Sequence, residues 1–227
     1  MRQSAEWTGE LWLGHDFGLI HGELGCTAPH AHYAHQLILA PDRPVTINLD
    51  GVTHTAQRLF IPSQTRHRIV ESTDAVFTIY AEPLVFDGQT LREHVTESAL
   101  SLSSLTHAVQ QCPHRPLNDP RLERALSALD SLLNRKVAAS ALATEANLSL
   151  SQLQRLFASQ LGLPIRRLVL WRRLRLSMVL ILAGNSVTQA AHEAGFADSA
   201  HFSRSLKKLF GVTARQALQP INLRLLD

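Results

Sequence analysis

A chain of 227 residues, 45% hydrophobic and 18% charged, is long enough to bury one large or two modest cores, which excludes a disordered or fibrous chain. The net charge of +3 hides a segregation: residues 1–118 carry 7 Arg, no Lys and 12 acids, net −5, whereas residues 119–227 carry 15 Lys or Arg against 7 acids, net +8. A basic half beside a half that avoids polyanions points to a polyanionic partner for the second half alone.

No run approaches the roughly 18 to 20 uninterrupted apolar residues of a membrane span. The start, Met1-Arg2-Gln3-Ser4-Ala5-Glu6-Trp7, lacks the basic-then-apolar order of a signal peptide, so a cytoplasmic location without a membrane partner is expected. Cys26 and Cys112 offer no disulfide framework, and each is expected to act as a small buried hydrophobe.

Along the chain, apolar residues first alternate in short runs broken by turn residues, as in strands: 11–13, 18–23, 36–40, 45–49, 52–55, 58–61, 67–70 and 75–80. Asp50-Gly51 between two of these runs is a hairpin signal, because Gly accepts the positive φ of a tight turn. Many short strands at this spacing predict a barrel or sandwich. From 91 to 111 the period becomes helical, until Pro113 and Pro116 break the chain. The apolar face of that helix (Leu91, Val95, Leu102, Leu105, Val109) suits a homodimer contact as well as packing onto its own barrel.

Beyond residue 118 the pattern is helical throughout: 120–133, 139–146, 150–161, 164–183, 187–194, 198–210 and a last turn at 214–218. Pro120 and Pro164 stand in first turns, where no amide hydrogen is needed. Ser149, Ser186 and Thr213 are suitable N-caps, and Gly162, Gly184, Gly195 and Gly211 lie at helix ends.

Within this half the chain repeats itself. Leu153-Gln154-Arg155-Leu156-Phe157 followed by Gly162 corresponds, 49 residues later, to Phe202-Ser203-Arg204-Ser205-Leu206 followed by Gly211. Upstream, Ala143 to Leu148 matches Ala191 to Phe196, with one more residue before the next matched segment in the second copy. Ala143 and Ala191 let two helices cross closely, Asn147 and Gly195 tolerate left-handed backbone, and Leu148 and Phe196 plug the corner. Each copy is therefore a helix-turn-helix, whose second helix lies in a DNA major groove. Away from the stripe of Leu150, Leu153, Leu156, Phe157 and Leu161, the first such helix offers Ser151, Gln154 and Arg155. The second offers Ser199, His201 and Arg204, with Lys207 and Lys208 a turn further on for phosphate. Arg166, Arg167, Arg172, Arg173 and Arg175 cluster on the connecting helix, some for phosphate and others to pair with acids, while Trp171 is a core residue.

The run 149–162, and above all 191–211, resembles the AraC-type transcription regulators over roughly the last 100 residues, about one small domain. The resemblance implies a bipartite DNA-binding domain with two helix-turn-helix units joined by a long helix, entering successive major grooves. It places base reading at Ser151, Gln154 and Arg155 and at Ser199, Ala200 and Arg204. Leu206 stands where the family usually has Phe, Ala214 where Pro is usual, and Ala217-Leu218 replace a closing aromatic-Arg pair. Ala200 is too short for a polar base contact, so the second unit is expected to read DNA more weakly.

Histidine is concentrated in the first half, with 10 of 12 before residue 119. In Pro29-His30-Ala31-His32-Tyr33-Ala34-His35-Gln36, two residues two apart on a strand face one side, so His30 and His32 can converge. With Pro62-Ser63-Gln64-Thr65-Arg66-His67, the pattern resembles the two motifs of the cupin barrel. The resemblance implies a site of His30, His32, His67 and Gln36, where Gln36 replaces a carboxylate and Gln64 a usual Gly. Such a set suits zinc, nickel, iron or copper, or else lines a pocket for an organic effector. Trp12, Tyr33, Phe60, Phe77 and Tyr80 are candidate pocket walls, against ordinary core packing, and the remaining histidines are expected at the surface or satisfied.

The resulting expectation is an α+β chain of two domains. A cupin-like sensory β-barrel spans 1–86, a helical linker 87–118 and an all-α DNA-binding domain 119–219, with helix-turn-helix units at about 139–161 and 187–210 and a tail at 220–227. The function expected is a non-enzymatic transcription regulator that binds a double-stranded operator, senses a small molecule or metal ion and meets RNA polymerase. The rival is a metal-dependent cupin enzyme with a fused helical partner-binding domain.

Overall fold

The computed structural model describes residues 8–71, 73–218 and 221–225. Its contacts divide the chain into Met1–Arg115 with Leu206–Asp227, and Pro116–Ser205. The first unit holds eight of the expected strands: β1 (Thr8–Leu13), β2 (Phe17–Glu23), β3 (His35–Leu39), β4 (Val45–Leu49), β5 (Val52–Ala56), β6 (Arg58–Ile61), β7 (His67–Ile69) and β8 (Ala75–Ala81). Asp50 and Gly51 join β4 to β5 with φ of 46° and 91°, the two positive values that a two-residue hairpin turn requires.

Among the described residues the strands do not close into one barrel. They form a six-stranded sheet and a separate three-stranded one, β5-β4-β7. The larger sheet runs β6-β3-β8-β2-β1-β9, where β9 (Ile221–Leu225) lies parallel to β1 in a stretch the sequence marks only as a tail. Residues 220, 226 and 227 of that tail lie outside the described residues.

Cross-strand register sorts the large sheet into two faces. Leu19 and Leu37 both pair with Ile79, and Trp12 pairs with Leu19, so these side chains share a face with Phe77 and Leu39. Tyr80 pairs with Gln36 and Thr78 with Ile38, on the opposite face. The first face is covered by α1 (Gly88–Thr96) and α2 (Leu102–Gln111). The single helix expected over 91–111 is thus two, interrupted at 97–101 because Ser101 adopts extended backbone and caps α2 by accepting from Ser104 N. Leu91, Val95, Leu105 and Val109 are buried in the core made with the sheet, and Leu102 packs against it. The apolar face that suited a dimer partner is therefore occupied by the helices' own sheet. Trp12, Phe60 and Phe77 belong to this same cluster, which removes them as walls of a pocket on the opposite face.

The second unit contains α3 (Pro120–Ser131), α4 (Ala139–Glu145), α5 (Leu150–Leu161), α6 (Ile165–Leu182) and α7 (Val187–Glu193), with the start of α8 (Ser199–Phe210). The division between units falls inside α8, so its last turn and α9 (Ala214–Leu218) belong to the first unit. Helix α6 is the connecting rod, with Leu168, Trp171 and Leu174 buried. Two of its arginines hold the rod in place: Arg172 pairs with Asp130 at 3.3 Å, and Arg173 donates to the carbonyls of Leu133 and Arg135. Arg166 and Arg167 are exposed near its start. No helix of the described residues is long and apolar enough to cross a membrane.

Candidate nucleic-acid interface and histidine cluster

The two helix-turn-helix corners are built alike at the level of single hydrogen bonds. Leu148 N donates to Ala143 O at 2.8 Å and Phe196 N to Ala191 O at 2.9 Å, each closing the end of a short helix across a left-handed residue. That residue is Asn147 with φ 54° in the first corner and Gly195 with φ 85° in the second. At Gly195 the need is stricter, since a Cβ would stand 2.3 Å from the Leu133 carbonyl oxygen. Ala143 and Ala191 are buried at the crossings, as their size predicts.

Reciprocal caps start α5 and α7. Ser149 Oγ accepts from Gln152 N while Gln152 Oε1 accepts from Ser149 N, and Ser186 and Gln189 do the same. Asp198 Oδ1 accepts from His201 N at 2.5 Å at the start of α8. With Leu153 and Phe157 turned inward, Ser151, Gln154 and Arg155 are exposed on α5. Leu150, placed by its spacing in the apolar stripe, is 43% exposed instead, at the first residue of α5. On α8, Ala200, Arg204, Lys207 and Lys208 are exposed and Phe202, Ser205 and Leu206 are buried. Ser199 is half-buried, and half-buried His201 packs edge-on against Phe196 at 5.2 Å between ring centres. This makes His201 a brace of the corner as well as a candidate contact.

The histidine cluster is assembled differently from its sequence reading. His30 is joined to His67 by a single antiparallel bridge, each amide donating to the other's carbonyl at 2.9 Å. His32 is in irregular backbone and not on a strand. Its position is set by Gln64, whose amide donates to the His32 carbonyl at 2.7 Å and which adopts φ 63°. The left-handed backbone explains why Gly is usual at position 64 of this pattern. His30, His32 and His67 are all buried, and one ring nitrogen of each lies within 4.8 Å of the others.

Each Nδ1 faces a backbone carbonyl: His30 that of Ala28 at 2.8 Å, His32 that of Ala34 at 3.0 Å and His67 that of Thr65 at 2.9 Å. A carbonyl oxygen only accepts, so at His30 and His67 Nδ1 carries the proton and Nε2 presents a lone pair, whereas His32 faces an acceptor at both nitrogens, Ala34 O at Nδ1 and Gln36 Oε1 at Nε2. Burial pushes all three imidazoles below the usual histidine range, His30 to about 4, with mutual repulsion adding to the effect at His30 and His32. Neutral imidazoles are the form that ligates a metal, and at His30 and His67 the backbone carbonyl also fixes the tautomer. Nε2 of His67 is buried with no hydrogen-bond partner. Gln36, 1% exposed, adds Oε1 at 3.1 Å from His32 Nε2 and donates from Nε2 to Tyr80 Oη at 3.2 Å. The donor set therefore fits a divalent transition-metal ion.

Two neighbours of the cluster were invisible in the sequence. The Phe210 ring lies 5.6 Å from those of both His32 and Tyr80, and Gly211 O accepts from Ala28 N at 3.1 Å. The repeat marks Gly211 only as a helix end matching Gly162. Of the cysteines, Cys112 is buried as expected, whereas Cys26 is exposed, in irregular backbone where its Sγ donates to the Val70 carbonyl.

Comparison with known proteins bears on the helical region and, for fold alone, on the chain as a whole. A family model described as a helix-turn-helix domain matches residues 142–219. The chain is 30% identical over 132 residues to "Probable transcriptional regulator LumQ" of Photobacterium leiognathi, covering 54% of this chain and 53% of the relative. It is 29% identical over 103 residues to "HTH-type transcriptional regulator GbdR" of Pseudomonas aeruginosa, covering 45% and 28%. The chain thus spans about half the length of one curated relative and about a quarter of the other. Among solved structures, apo ToxT K231A from Vibrio cholerae aligns over 92% of this chain and 98% of its own, with a TM-score of 0.61 and 13% identity, a likeness of fold.

Proposed function

We propose, from the premise that residues 142–219 are a helix-turn-helix domain, that the chain is a sequence-specific DNA-binding transcription regulator of AraC type with a sensory first unit. The observation that carries this reading is the repeated corner. Twice, an identical backbone hydrogen bond across a left-handed residue leads into a recognition helix whose exposed face bears Arg. On α5 the base-reading set is Ser151, Gln154 and Arg155, and on α8 it is Ser199, Ala200, His201 and Arg204. Lys207 and Lys208 contact phosphate.

The effector of the first unit is a divalent transition-metal ion, held by His30, His32 and His67 with Gln36 as a weak fourth donor. What favours a metal over an organic effector is the convergence of three buried neutral imidazoles, including the partnerless Nε2 of His67.

The test is selection of binding sites from a random duplex pool by the full chain, followed by titration of the selected site and a scrambled one. The expected result is a selected site bound on the order of a thousandfold more tightly than scrambled DNA, with affinity falling steeply as salt rises. Equal binding of both duplexes at every salt concentration overturns the reading. For the effector, His32→Ala is expected to abolish the binding of one equivalent of zinc seen in wild type; equal stoichiometry in both refutes the site.

A further inference from the structure

The end of α8 lies on the histidine cluster. Phe210 covers His32 and Tyr80 with its ring. Gly211 lies against the support of His30: it accepts from the amide of Ala28, whose carbonyl in turn holds His30 Nδ1. The approach is close enough that a Cβ on Gly211 would stand 2.4 Å from Ala28 O and 2.7 Å from His30 Nδ1, and the residue has φ +70°. Both contacts fall within the first unit, while the same helix begins in the second.

We propose that Phe210 and Gly211 are the reporter of the histidine site, coupling occupancy by a divalent transition-metal ion to the second recognition helix. The inference rests on the metal reading above and adds how the site is read. Tetrahedral coordination with metal–nitrogen bonds of about 2.0 Å places ligand nitrogens about 3.3 Å apart. The imidazoles, whose ring nitrogens lie within 4.8 Å of one another, therefore draw inward when a metal binds. Phe210 packs on one of these rings and Gly211 on the backbone that orients another, so the same movement changes what both residues rest on. Helix α8 is continuous from Ser199 to Phe210, and Gly211 N closes its last turn on Lys207 O at 2.9 Å. A shift at its end is thus transmitted to Arg204, less than two turns away. A metal that favours one position of α8 must alter DNA affinity, and DNA must alter metal affinity by the same factor.

The experiment uses the full chain, the selected duplex, and Co(II) as a spectroscopic probe with Zn(II) as competitor. DNA affinity is measured with and without metal, and Co(II) affinity with and without DNA. The expected wild-type result is a change of about fivefold or more, equal in both directions. Phe210→Ala is expected to keep one equivalent of Co(II) and metal-free DNA binding, while the coupling falls below about twofold. Phe210→Leu, which keeps apolar volume, serves if the alanine variant is unstable, and a loss of coupling there carries the same meaning. A wild type that binds Co(II) with unchanged DNA affinity overturns the reporter alone. So does full coupling in both Phe210 variants. A wild type that binds no Co(II) overturns the metal reading and the reporter together.

Discussion

Arg155 and Gln36 illustrate how much depends on one side chain's surroundings. Arg155 is exposed on α5 opposite the buried Leu153 and Phe157, and its planar fork matches the O6/N7 edge of guanine. Arg155→Ala is expected to weaken binding to the selected site by about 1–3 kcal/mol and to leave scrambled-DNA binding almost unchanged, as read by anisotropy titration. Equal losses on both duplexes would make Arg155 a phosphate contact. Gln36 is buried with a neutral amide between His32 and Tyr80. Gln36→Glu buries a carboxylate and is expected to destabilise metal-free protein by about 1–3 kcal/mol while raising zinc affinity. Thermal melts with chelator and with excess zinc should therefore diverge more in the variant than in wild type.

Elements owe their ends to local chemistry that is legible in the chain. The Ser149/Gln152 and Ser186/Gln189 boxes each satisfy two amides that the helix cannot, so Ser149→Ala and Ser186→Ala are each expected to cost about 1 kcal/mol in denaturant unfolding. Ser127→Ala, on an exposed side chain within α3 and away from its ends, is the control and should stay within about 0.5 kcal/mol. The break between α1 and α2 was not legible, because Leu91, Val95, Leu102, Leu105 and Val109 keep helical spacing straight across it. Packing two short helices onto one sheet face buries the same residues as one long helix would, and periodicity alone does not choose between them.

At the scale of the whole molecule, burial of histidine ties stability to pH. His35, whose Nδ1 accepts from Ser63 N, is pushed down to about 4 chiefly by burial, as is His30, while His32 and His67 are also lowered. In the folded chain these rings stay neutral, whereas in the unfolded chain they take up protons near pH 6.5. Below that pH the unfolded state binds more protons, so stability is fully present above about 6.5 and is lost as pH falls toward 4. Denaturant midpoints of chelated protein should be flat from pH 7 to 8 and decline from 6.5 to 4.5. His35→Gln should reduce the decline, and a midpoint independent of pH across that range would contradict the assignment.

Charge segregation, the repeat at 49 residues, the corner residues Asn147 and Gly195, the caps and most strand positions are local properties. Each follows from side-chain size, φ preference or hydrogen bonding over a few residues, so composition and order suffice to determine the helix-turn-helix half. Long-range pairing does not follow in that way. That the strands form two sheets, that β9 adds to β1, that His30 bridges His67 and that Phe210 and Gly211 rest on the histidine cluster are choices among many partners of similar local merit. Only the burial of whole surfaces against one another distinguishes those partners, and that is settled in three dimensions.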